Sequence, residues 1–81
     1  MAKTRIMRIC ELTRSEREEM EAKANFSVDQ KRLFDLLSLD CFYDDGLMMA
    51  LQMSRTRFYR VKAEVMEKFR RLLPQIRDTN L

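Results

Sequence analysis

Histidine is absent from the sequence, and glycine and proline occur once each, at Gly46 and Pro74. Without histidine the commonest metal ligand and general base is missing. Cys10 and Cys41 are the only cysteines, too few to hold a zinc ion by themselves. No structural metal and no cofactor is therefore expected. So little glycine and proline leaves few turns for a sheet and suits compact helices. A glycine-rich phosphate loop is missing too, and no serine or cysteine has an evident base beside it, so an enzyme is not expected. The longest uncharged run is 46–54, far too short to span a bilayer. Residues 1–8 are basic but lead into no apolar stretch, so the expectation is a cytoplasmic protein without an export signal. In that compartment Cys10 and Cys41 read as reduced, packed thiols, with a disulfide between them as the open alternative.

What is present is charge, unevenly placed. The net charge is +3. Residues 1–14 carry Lys3, Arg5, Arg8 and Arg14 against Glu11. Residues 15–45 hold nine acids against four bases, and 46–73 hold seven bases against Glu64 and Glu67. The positive charge lies at the two ends, around an acidic middle.

Helix starts can be read from local signals. Thr13 and Glu16 have the spacing of a capping box, in which hydroxyl and carboxylate satisfy free N–H groups, and predict a first helix over Arg14–Ala24 with Asn25 as a left-handed stop. Ser27 and Gln30 repeat the device before a second helix over 28–38, whose apolar face is Leu33, Phe34, Leu36 and Leu37. Asp44 or Asp45 is a candidate cap for a short third helix burying Leu47, Met48, Ala50 and Leu51. Gln52 and Met53 form a turn. Ser54 then caps a fourth helix over 54–73, which is expected to stop at Pro74. The reading is an all-α, compact four-helix domain over 13–76, preceded by a basic arm of unassigned structure (1–12) and followed by a tail (77–81).

Along the fourth helix Phe58, Val61, Val65, Phe69, Leu72 and Ile76 recur at three- and four-residue steps, which puts them on one face. That stripe is long for one small domain, so Val65, Phe69, Leu72, Leu73 and Ile76 are the candidate surface for a homodimer. Met48, Met49 and Met53 read as core filler, with Met49 the expected exception.

Opposite the stripe stand Thr56, Tyr59, Arg60 and Ala63, flanked by Arg55 and Arg57. Lys62 completes four bases before the first acid at Glu64. A short helix, a tight turn and a second helix entered through serine form the helix-turn-helix pattern, whose second helix fits the major groove. Arginine can grip guanine bidentately, and threonine can meet a thymine methyl or a phosphate. The candidate contacts with double-stranded DNA are Ser54, Arg55, Thr56, Arg57, Tyr59, Arg60 and Lys62. Base readout should fade beyond Lys62, where Lys68, Arg70 and Arg71 are interleaved with Glu64 and Glu67.

The stretch Leu47-Met48-Met49-Ala50-Leu51-Gln52-Met53-Ser54-Arg55-Thr56-Arg57-Phe58 resembles the helix-turn-helix of sigma-70 region 4 and the LuxR/FixJ-type DNA-binding domains. Those families read Ile-Ala-x-x-Leu-Gly-Ile-Ser-x-x-Thr-Val and continue into a long basic helix. Leu47, Leu51, Met53, Ser54 and Phe58 match by character. Residues 25–37 resemble the helix that leads into the motif in small regulators of phages and mobile elements. Met48 stands where alanine is usual, Gln52 where glycine is, and Gly46 where an acid is common. The resemblance implies sequence-specific promoter or operator binding by a regulator, not a complete sigma factor. The competing expectation is a protein-interaction module, an inhibitor or accessory factor docking on RNA polymerase or another helical partner.

Overall fold

The computed structural model describes residues 8–39 and 43–79, with side chains as far as Ile76. Cys41, the arm before Arg8 and the last two residues lie outside that range, so the Cys10–Cys41 pairing does too. The described chain is all-α. A single 3-10 turn, Ile9–Glu11, precedes α1 (Arg14–Ala24), α2 (Val28–Leu39), α3 (Asp44–Leu51) and α4 (Arg55–Thr79).

Three of the four helix starts follow from side chains three residues apart. Thr13 Oγ1 accepts from the Glu16 N–H at 3.1 Å, and the Glu16 carboxylate accepts from the Thr13 N–H at 2.9 Å. Ser27 and Gln30 make the same reciprocal pair at 3.3 and 3.1 Å. Ser54 Oγ accepts from the Arg57 N–H at 3.3 Å. Each removes an orphan donor that an uncapped helix would leave to water. α3 differs from expectation. Its cap position is Tyr43, which makes no side-chain cap bond, and Asp44 and Asp45 sit inside the first turn, where the helix dipole favours a negative charge.

α1 ends on Asn25 in the left-handed conformation (φ 51°). α3 ends the same way on Gln52 (φ 55°, ψ 45°). The Gln52 N–H donates to the Met49 carbonyl at 3.2 Å and the Met53 N–H to the Met48 carbonyl at 3.1 Å. That pair of bonds is a Schellman turn, the usual means of closing the last carbonyls of a helix. Residue 52 therefore occupies a backbone state that glycine adopts freely and glutamine does not.

The core takes Met20 and Ala24 from α1, Leu33 and Phe34 from α2, and Leu47 and Leu51 from α3. α4 is its spine, with Phe58, Val61, Val65, Phe69, Leu72 and Ile76 all buried. Ile9 of the 3-10 turn joins them, which gives the otherwise unassigned stretch before Thr13 a packing role. Phe26 lies 4.8 Å from Phe34, ring centre to ring centre. Met48 and Met53 pack against the core while Met49 is 80% exposed, as the sequence suggested. Ala50 is exposed rather than buried. A two-turn helix can fill its inner edge with Leu47 and Leu51, four residues apart, and Ala50 falls off that line.

α4 does not stop at Pro74 but runs through it to Thr79. Proline in a helix interior removes one hydrogen bond and crowds the carbonyl four residues back, at a cost of about 3 kcal/mol. Pro74 is on the solvent side, so the Arg70 carbonyl can turn to water. Beyond it Ile76 is fully buried, and burying such a side chain contributes about 1.5–3 kcal/mol. Tertiary packing thus offsets the local penalty.

Candidate nucleic-acid interface

α3, the three-residue turn 52–54 and α4 follow one another as helix, turn and helix. Phe58, Val61 and Val65 anchor the inner edge of α4, so every position between them faces outward or sideways. Ser54, Arg55, Thr56, Arg57, Tyr59 and Arg60 are exposed, and Lys62 is half-buried. The seven candidate contacts thus share the side of α4 away from the core. They are not equivalent.

The flanks of α4 are held by its neighbours. On one side Arg57 pairs with Asp29, in the first turn of α2. On the other side Lys62 Nζ lies 2.7 Å from Asp44 Oδ1, and the Tyr59 hydroxyl donates to Asp44 Oδ2 at 3.3 Å. Lys62 Nζ also lies 6.0 Å from the centre of the Phe58 ring, at the outer limit of a cation–π contact. Arg55, Thr56 and Arg60 have no side-chain partner among the described residues. Thr56 and Arg60 lie on the outward side of the first two turns, with Ala63 the next exposed position, and Arg55 stands at its flank. Asp29 and Asp44 are the partners of the candidate interface that sequence reasoning missed. From the sequence Asp44 reads only as a candidate cap of α3, and Asp29 only as one of the nine acids of 15–45.

The next stretch of α4 is occupied with holding the fold. Gln30 is buried, accepts from Lys68 Nζ at 2.7 Å and donates to Glu64 at 3.0 Å. Lys68 also donates to the Asn25 carbonyl at 3.2 Å and sits 5.5 Å over the Phe26 ring. These bonds join the cap of α1, the start of α2 and the middle of α4. Glu64 and Lys68 therefore serve packing rather than any external ligand.

The proposed dimer stripe needs correction. Val65, Phe69, Leu72 and Ile76 are enclosed in the chain's own core, and Leu73 is half-buried against it. α1 and α2 pack along α4 and supply the cover that a second copy was expected to give. The large apolar side chains left exposed are elsewhere, and include Tyr43 at 88% and Met49 on α3.

Compared with protein-family models, curated proteins and solved structures, the chain matches none. Its chemistry has to be read from the residues themselves. Among the described residues no helix is long and apolar enough to cross a membrane. Lys31 is held above the ordinary lysine value, first by its hydrogen bond to Asp35 and then by Glu21, at 2.8 Å each. Because Glu21 belongs to α1, this ammonium ties α1 to α2.

Proposed function

We propose that the chain is a sequence-specific double-stranded DNA-binding regulator that lays the N-terminal turns of α4 into the major groove. The observation that carries the proposal is the exposed group Arg55, Thr56 and Arg60, without side-chain partners among the described residues, at the start of the helix that follows the 52–54 turn. A groove about 12 Å wide admits an α-helix, and arginine and threonine supply the donors and the methyl that distinguish base pairs there. Ser54 and the flanking cations Arg57 and Lys62 lie where phosphates would run, with Tyr59 as a further hydroxyl donor. The excess of bases in 46–73 supplies the sequence-independent attraction. The likeness of 47–58 to sigma-70 region 4 and LuxR/FixJ-type motifs supports the same function, and the departure at Gln52 is accommodated by a left-handed residue in the observed turn. A cytoplasmic location accompanies the proposal.

The test is fluorescence anisotropy against random duplex over a salt series. Binding that weakens steeply as salt rises is expected, because each neutralised phosphate releases condensed counterions. No binding at low salt, or a flat salt response, refutes it. A second reading, docking on RNA polymerase or another helical partner, is favoured by the exposed Tyr43 and Met49 on α3. It predicts partner capture that survives Arg60→Ala and is lost in Met49→Asp.

A further inference from the structure

Two of the four bases in the first turns of α4 already have anions. Arg57 is paired with Asp29 and Lys62 with Asp44, and each acid comes from a different helix, α2 on one flank and α3 on the other. Asp29 lies in the first turn of α2 and Asp44 in the first turn of α3. The pairs are partly open to solvent: the Arg57 side chain is 53% exposed and that of Lys62 32%.

We infer that Asp29 and Asp44 are built-in competitors for the DNA backbone, which lower the affinity of the helix for any duplex and leave discrimination to Arg55, Thr56 and Arg60. The inference rests on the DNA-binding proposal and adds to it the residues that set its strength. The consequence holds whichever partner each cation takes in the complex. If Arg57 stays on Asp29, it neutralises no phosphate. If it moves to a phosphate, Asp29 is left as an uncompensated negative charge against the DNA. Either way one unit of effective positive charge is subtracted on that flank, and the same reasoning applies to Lys62 with Asp44. A weakened backbone grip reduces non-specific occupancy and raises the share of binding energy that depends on sequence.

The magnitude follows from counterion release. Each charge restored steepens the plot of log affinity against log salt by about 0.9, so curves that converge near 1 M salt separate by about eight-fold at 0.1 M. Asp29→Asn and Asp44→Asn are near-isosteric and restore one charge each. Glu18→Gln makes the same change in net charge on α1, at an exposed carboxylate that pairs with Arg14 rather than with any base of α4. With a screening length of about 10 Å at 0.1 M salt, that substitution should change affinity less than about two-fold.

The experiment is anisotropy of the full chain and the three variants with a random 20-base-pair duplex between 0.05 and 0.4 M salt, after circular dichroism has shown each to be folded. Tighter binding by Asp29→Asn and Asp44→Asn, about eight-fold each at 0.1 M with a slope steeper by about 0.9, supports the inference. If one of the two does not fold, the other carries the test. Unchanged or weaker binding by the Asn variants, or an equal gain from Glu18→Gln, overturns it while leaving DNA binding intact. A parent chain that binds no duplex at any salt refutes the DNA proposal and this inference with it.

Discussion

Replacing Gln52 by glycine should make the protein more stable, although it removes a side chain and contributes none. Gln52 closes α3 at φ 55° and ψ 45°. An L-residue in that conformation brings its Cβ against the following carbonyl oxygen, at a cost of roughly 1–2 kcal/mol that glycine does not incur. Against this stands the greater freedom of glycine in the unfolded chain, worth roughly 0.5–1 kcal/mol. The side chain is exposed and makes no hydrogen bond among the described residues, so no packing is lost. The two effects leave a net gain of about 0.5–1 kcal/mol. In a domain of this size that raises Tm by about 2–8 °C. Urea unfolding followed by circular dichroism measures it, provided the dependence on denaturant keeps its slope. Gln52→Val should move the other way by about 1 kcal/mol, because a β-branched side chain tolerates positive φ least. A loss of stability in Gln52→Gly at unchanged slope would refute the turn geometry, since that is what glycine does inside an ordinary helix.

Phe58→Ala removes a fully buried ring from the junction of α4 with the core and should cost about 3–5 kcal/mol, enough to leave much of a marginal domain unfolded in a thermal melt. A melt within 3 °C of the parent would contradict the placement of that ring. Pro74→Ala restores the missing N–H within α4 and should stabilise by about 1–3 kcal/mol, read by chemical denaturation; a loss would show that α4 does not continue through residue 74. The raised pKa of Lys31 gives a contribution that is fully present below the ordinary value of 10.5 and is lost as pH rises through the higher folded-state value. Lys31→Met should accordingly flatten part of the decline in Tm above pH 10, and a decline identical to the parent's would remove Lys31 from its causes.

Three of the four helix starts were legible because capping is local, and that of α3 was not, since Tyr43 makes no side-chain cap bond. Thr13 with Glu16, Ser27 with Gln30, and Ser54 with the Arg57 N–H each act over three residues, and such spacings survive without knowledge of the rest of the chain. The inner stripe of α4 was legible for the same reason, since helical periodicity alone puts Phe58, Val61 and Val65 together. What was hidden depends on distant partners. The stripe from Val65 to Ile76 reads as surplus apolar surface until α1 is laid along it. α4 continues past Pro74 because Ile76 has a place in the core, which no local rule supplies. Within the candidate interface the basic character of the helix was evident, but its division was not. Arg57 and Asp29 are 28 residues apart and Lys62 and Asp44 are 18 apart, so only the fold shows which cations are taken and which are left.

The central claim is that DNA meets the outward surface of the first turns of α4. Titrating isotopically labelled protein with a short random duplex at low salt, and following backbone amide shifts by NMR, tests it most directly. Shifts concentrated at Arg55, Thr56 and Arg60, with smaller ones at Arg57 and Lys62 and none along α1, are predicted. Shifts centred on Tyr43 and Met49 of α3, or spread evenly over the basic and acidic surfaces alike, would contradict it.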